Sequence, residues 1–260
     1  MTYTYGVDVS HWQADAAGNS LIDWQAAYDA GIRFAFVKAS DGLNAVRGYQ
    51  SHMAGARKAG ILTAPYHWLY FRDSLPAVAQ ARAFLTVIQE TEYDLPPVID
   101  YEDRASAIGA TWCSAYLRGM AAYVENALDT IPIIYTSYGF WREFGTKSEW
   151  VLRHPLWLAF YGTEPLQTTY PPTIARRASA DAYTPAPWGQ GNWRFWQFTE
   201  KGNGAKYGHT LGSPLDLDVF NGSEAELRRM FGLADGGAVD VPDDALARLW
   251  AAHPELWGKS

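Results

Sequence analysis

Ile61-Leu62-Thr63-Ala64-Pro65-Tyr66-His67-Trp68-Leu69 is an apolar, aromatic-rich run of strand length. A helical pattern follows over residues 76–89, with Ser74 placed to cap it and Pro76 near its start. A second short apolar run, 97–101, comes next behind Pro96-Pro97. Strand, helix, strand in this order is a parallel βαβ unit. The rhythm extends both ways. Upstream, the runs 5–10 and 34–40 alternate with helical patterns at 23–30 and 49–59, which Gly31 and Gly60 end. Downstream, a long helical pattern over 111–128 leads to a fifth run at 131–136, with a short aromatic helix after it. Further runs at 156–161, 194–199 and 215–220 bring the strands to eight. No convincing helix separates the last three. The expectation is one α/β domain, an irregular eight-stranded (β/α) barrel with helices missing in its closing half.

The chain has 260 residues, enough to bury a sizeable core. Its formal net charge of -7 excludes an overall basic field for nucleic acid. Any polymer it binds must be held in a specific groove. The 12 Trp and 16 Tyr must pack largely in the core, yet such rings also stack on the apolar faces of sugars. Composition leaves both readings open. The single cysteine, Cys113, excludes an intrachain disulfide and suits a reducing compartment. Its helical context marks it as a small buried apolar residue rather than a catalytic thiol. Residues 1–5 carry neither the basic region nor the apolar run of a secretory signal, and no stretch has the length of a membrane span. The expectation is synthesis in the cytoplasm without membrane insertion.

Two segments stand outside the rhythm. Residues 163–192 are polar and rich in Pro, Thr and Ala. A structureless stretch of that length is unusual in a compact domain, so it is a functional loop or it hides an element. Arg176-Arg177 within it reads either as a contact for an acidic substrate or as a solvated pair. After residue 233 the texture changes. Gly236-Gly237 and Pro242 mark a linker over 234–242, and 243–260 reads as a short helical tail with Leu246, Leu249, Trp250 and His253 on one face. So short a helix is marginal alone and must dock. The barrel, an additional wall-binding domain and a second subunit are all possible docking partners, so oligomerisation through the tail stays open. The division expected is a catalytic barrel over 1–233, the linker, and the tail.

In an α/β barrel the reactive side chains stand at the strand ends. Asp100 and Glu102 follow the apolar pair Val98-Ile99. Residues two apart in a strand share a face, with Cα atoms roughly 6.5 Å apart. Two carboxyls that converge on one bond are what glycoside hydrolysis needs. Their proximity raises one pKa and keeps a proton available near neutrality. Asp8 also ends an apolar run, and Asp216 and Asp218 flank Leu217, at least one of them facing solvent or a turn. His11 and His67 with Asp8 and Asp100 are the types that bind zinc. No H-x-H or H-E-x-x-H spacing accompanies them, and each His precedes a Trp, which suits sugar stacking. Carboxylate catalysis without metal or cofactor is expected.

Taken together these segments resemble glycoside hydrolase family 25, the muramidases (lysozymes) of bacteria, fungi and phages. Residues 5–13, Tyr-Gly-Val-Asp-Val-Ser-His-Trp-Gln, are similar to that family's opening strand. Residues 36–42, 65–68, 98–102, 156–159, 196–198 and 215–220 are similar to later strands in the same order. The family usually has Glu or Thr where Asp41 stands, and Asn more often at 218. The resemblance implies a flattened, irregular barrel and cleavage of the β-1,4 bond between N-acetylmuramic acid and N-acetylglucosamine. It implies Glu102 as general acid/base, Asp100 as assistant to the substrate's acetamido group, and Asp8 and Asp216 as shapers of the site's charge. It implies a sugar groove lined by Tyr66, Tyr135, Trp157 and Tyr161, and the strand ends add Lys38, His67 and Gln197. The implied partner is the glycan strand of peptidoglycan in the bacterial wall, reached as by a phage endolysin or an extracellular lysozyme. A chitinase-like hydrolase and a non-catalytic, lectin-like wall binder are the alternatives.

Overall fold

The computed structural model describes residues 2–162 and 165–233. Eight strands close a barrel: β1 (Thr4–Val9), β2 (Ile32–Asp41), β4 (Leu62–Trp68), β5 (Val98–Asp100), β6 (Ile133–Ser137), β7 (Leu156–Ala159), β8 (Phe195–Gly202) and β9 (Leu215–Phe220). The two-residue β3 (Asn44–Ala45) adds only a short ladder to the end of β2. Strands β1, β2 and β4 to β8 run parallel around the barrel, whereas β9 is antiparallel to both its neighbours, β8 and β1. The β8–β9 link is a hairpin with one 3-10 turn, so it needs no crossover helix.

Helices α1 (Trp24–Asp29), α2 (Tyr49–Lys58), α3 (Ala77–Ile88), α4 (Ala110–Leu128) and α5 (Tyr138–Phe144) fall where the sequence patterns place them. Pro76, not Ser74, stands at the N-cap of α3. Cys113 is fully buried in α4, as its helical pattern predicts.

One expectation about the closing half needs correction. The segment 163–192 holds a helix, α6 (Ile174–Ala182), between β7 and β8. Thr173 caps it by accepting from the Arg176 amide. Its buried face is Arg176 and Ala180, so hydrophobic periodicity is silent there. The Arg176 guanidinium donates to the carbonyls of Tyr161, Phe198 and Pro165. Arg177 donates to Asp181, Tyr3 and Asn221. The pair is neither a substrate contact nor solvated. It fastens α6 to the barrel by hydrogen bonds where an ordinary helix would use apolar burial. The last helix among the described residues, α7 (Glu224–Met230), follows β9 under a Ser223–Glu226 capping box. The linker and tail expected over 234–260 lie outside the described residues.

Strand alternation sorts the side chains into two layers. Val7, Val9, Ala35, Val37, Ile99, Ile134 and Leu158 face outward into the core shared with the helices. Phe34, Phe36, Leu62, Ala64, Val98, Ile133, Phe195 and Phe220 fill the barrel interior. Gly6 belongs to the interior set, and a Cβ there would collide with the Phe34 ring. Each fully buried aromatic side chain contributes about 1.5–3 kcal/mol, so this apolar floor is a rigid base for whatever stands above it.

Candidate active site

The next interior positions toward the carboxyl ends of the parallel strands are polar. Continuing each alternation gives Asp8 on β1, Lys38 on β2, Tyr66 on β4, Asp100 on β5, Tyr135 on β6 and Gln197 on β8. Because β9 runs the other way, its Phe220 lies on the floor and Asp218 and Asp216 rise from it. Asp8, Lys38, Tyr66, Asp100 and Asp216 line a cleft of about 230 Å³, together with Glu102 just beyond β5. Tyr135, Trp157, Tyr161 and Gln197 complete its wall. Ten of the eleven residues expected to act or bind from sequence thus meet in one place.

The eleventh, His67, does not. It is odd in the β4 alternation and fully buried on the outer side of the barrel. Its Nδ1 pairs with Ser40 Oγ at 2.8 Å, its Nε2 faces Gln80 Oε1 at 3.4 Å, and its ring packs against Phe84 of α3. Burial lowers its pKa to about 4, so the ring stays neutral. It cannot join His11, Asp8 and Asp100 in a ligand set.

The walls are tied by hydrogen bonds. Gln197 Nε2 donates to Asp8 Oδ2 at 2.6 Å. Gln197 Oε1 accepts from Tyr135 at 2.9 Å and from Tyr161 at 2.8 Å. Two phenol donors therefore fix which end of the amide faces Asp8. Trp157 Nε1 donates to Asp218 Oδ1 at 2.8 Å, and Trp157 stacks on Phe36 at 4.1 Å. Lys38 Nζ pairs with Asp41 at 3.0 Å and lies 4.5 Å from the centre of the Trp68 ring.

Five carboxyls, those of Asp8, Asp100, Glu102, Asp216 and Asp218, crowd around this interior. Lys38 is the one Lys or Arg among the described residues that lines the cleft. Burial, followed by the Glu102 charge, raises Asp100 well above the carboxylate range, and Lys38 pulls it partly back. Burial likewise raises Glu102 to about 7, against the pull of Lys38. Asp8 is raised by burial and by Asp218, and Asp216 by burial and by Asp8. A cleft so built resists ionising all its carboxyls together, and Glu102, pushed up to about 7, suits a proton donor for acid catalysis.

Asp218 is fully buried and its Oδ2 has no hydrogen-bond partner. Of the two β9 carboxyls, Asp216 is the one that faces the cleft. Burial and then Asp216 raise the Asp218 pKa. Folded protein therefore keeps a proton there that the unfolded chain has lost, and stability falls as pH rises through that interval. Asp218→Asn keeps the acceptor for Trp157 and removes the titration. Its Tm advantage over the parent is expected to grow with pH, by roughly 3–6 °C per unit in that window. Thermal melts across the pH range check this; a pH-independent difference contradicts it.

The rim adds residues beyond those eleven, and of these sequence reasoning missed Glu200. Ser10, His11 and Trp12 come from a 3-10 turn closed by a capping box between Ser10 and Gln13. Trp68 and Glu200 complete the opening. In regular alternation Glu200 would share the outward face of Trp196 and Phe198. Register shifts on either side of Thr199 turn it to the cleft instead.

The model of glycosyl hydrolases family 25 matches residues 7–206 of this chain. The chain belongs to that family. Uncharacterized protein YegX of Escherichia coli O6:H1 is 32% identical over 90% of this chain and 75% of its own length. Lysozyme M1 of Streptomyces globisporus is 28% identical over 85% of this chain and 69% of its own. The crystal structure of the bacterial lysozyme from Streptomyces coelicolor superposes with a TM-score of 0.68 at 24% identity, covering 89% of this chain and 98% of that one. The fold of this family 25 chain is thus the irregular barrel of its relatives, and the chain is a glycoside hydrolase. Neither the chitinase-like nor the lectin-like alternative is favoured by these likenesses.

Proposed function

We propose that this chain is a peptidoglycan muramidase that cleaves the β-1,4 bond between N-acetylmuramic acid and N-acetylglucosamine. The observation that carries the reading is the pairing of Glu102, its carboxyl pushed up to about 7 by burial, with a more deeply buried Asp100 in one cleft walled by Tyr66, Tyr135, Trp157 and Tyr161. The barrel alone supplies every group the reaction uses.

Glu102 protonates the glycosidic oxygen as the bond to the leaving sugar breaks. Asp100 leaves the same strand end, so it approaches the sugar from the same side and is badly placed for in-line attack. The carbonyl oxygen of the substrate's own 2-acetamido group attacks the anomeric carbon instead and forms an oxazolinium ion. Asp100 accepts from the acetamido N–H and stabilises the positive charge. Glu102, now a carboxylate, takes a proton from water as that water opens the ring, and configuration is retained. Asp8 and Asp216, with Gln197 held by the two tyrosines, set the charge and shape of the cleft. No step calls on a metal or cofactor.

Reducing-end analysis of purified peptidoglycan after digestion tests the bond assignment. New N-acetylmuramic acid ends are expected. New N-acetylglucosamine ends would transfer the reading to a glucosaminidase or chitinase-like enzyme. The setting implied is the bacterial wall; among the described residues no helix is long and apolar enough to cross a membrane.

A further inference from the structure

A second hollow of about 400 Å³ adjoins the carboxylate cleft and shares Glu102 and Tyr161 with it. Ser137, Tyr138, Gly139 and Phe160 are among the residues that form the rest of its wall. Glu102 is its one charged group. The proton donor therefore stands at the junction of two unlike hollows. One is crowded with carboxyls, and the other is aromatic and nearly neutral.

We infer that this aromatic hollow is the subsite for the sugar on the leaving-group side of the cleaved bond, N-acetylglucosamine in the muramidase reading on which the inference rests. The donor must reach the oxygen that joins the two sugars, so the sugars lie on opposite sides of Glu102. Positive charge develops on the ring that keeps the anomeric carbon, and that ring belongs among Asp100, Asp8 and Asp216. The departing sugar is neutral. It gains nothing from carboxylates and suits flat apolar faces with polar tips, as Tyr138, Phe160 and Tyr161 offer.

The segment 163–192 acquires a role here. Tyr183, at the C-terminal end of α6, stacks on Phe160 at 4.6 Å and meets the Tyr138 ring edge-on at 4.9 Å. Arg176 of the same helix holds the Tyr161 carbonyl at 2.6 Å. Helix α6 thus braces three of the aromatic walls of the hollow from behind. Its polar attachment lets an exposed segment be rigid, which a stacking surface requires.

Gly139 offers a clean test, because a Cβ there meets nothing within 4 Å. Gly139→Leu projects a side chain into the hollow, and Leu is the better helix former. The probes are the tetrasaccharide of alternating N-acetylglucosamine and N-acetylmuramic acid, and the β-fluoride of its N-acetylglucosaminyl-N-acetylmuramic acid half. Both present the same sugars to the carboxylate cleft, but fluoride leaves the second hollow empty. The ratio of kcat/KM on tetrasaccharide to kcat/KM on fluoride is expected to fall about 10- to 100-fold in Gly139→Leu. Tyr138→Ala should lower the same ratio. An unchanged ratio in both variants, or a parallel loss on both substrates, overturns the assignment. Failure of the parent protein on both probes would instead remove the muramidase reading, and this one with it.

Discussion

Glu102→Gln is expected to fold normally and to lose nearly all turnover, by ~10²–10⁴ or more, since general acid catalysis is worth that much and a sugar is a poor leaving group. The substitution keeps size and hydrogen-bonding capacity but removes the transferable proton. The parent carboxyl is raised to about 7 because burial disfavours its charged form. It therefore holds its proton below that value and loses it above. The pH profile of the parent should fall on the alkaline side through this region. The trace activity of Glu102→Gln should lack that limb, because the amide does not titrate. Lysis at the parent rate by a Glu102→Gln protein with parent-like thermal stability would sink the assignment. A loss of activity whose alkaline limb persists would mean that another group is the donor. Asp100, raised by burial and by Glu102 itself, is then the first candidate.

The second large effect is expected from the substrate rather than the protein. Peptidoglycan stripped of its N-acetyl groups should still bind, yet be cleaved slower by roughly 10³-fold or more, because an attached nucleophile reacts at an effective molarity of ~10⁵ M or above. The expectation follows from the common origin of Asp100 and Glu102 at the end of β5. Two carboxyls on one side of the bond leave the opposite side of the anomeric carbon to the substrate's own acetamido oxygen. Direct attack by Asp8 or Asp216 across the cleft is the competing route. Mass spectrometry of quenched reactions separates the two. A sugar ester trapped on Asp8, Asp100 or Asp216, or brisk cleavage of the stripped polymer, would overturn the substrate-assisted mechanism while leaving glycoside hydrolysis intact.

Much of the site was legible before the fold. Asp8, Lys38, Asp100 and Gln197 each continue the alternation of a buried strand, and period two needs only local sequence to be read. The same rule sends His67 outward while it sends Tyr66 inward. Listing both as ligands of one substrate ignored a parity already visible in residues 62–68. Glu200 shows where parity stops being enough. Irregular pairing of β8 with β9 turns its direction, and irregular pairing depends on a partner strand remote in sequence. Helix α6 was hidden for a different reason. Its inward anchor is an arginine bonded to carbonyls from three separate segments, and no local pattern announces such partners.

What the sequence by itself determined is the number and order of the barrel strands, the first five helices and the candidate acid pair. Each of these follows from periodicity, capping residues and turn residues within one stretch of chain. Only the tertiary structure decided that β9 runs antiparallel and so buries Asp218 while presenting Asp216 to the cleft. It alone decided that Tyr135 and Tyr161 orient Gln197 toward Asp8, and that Glu102 stands between a carboxylate-rich hollow and an aromatic one. The physical reason is range. Secondary structure answers to neighbours a few residues away, whereas burial, proton affinity and cavity shape are set by residues that closure of the barrel brings together from both ends of the chain.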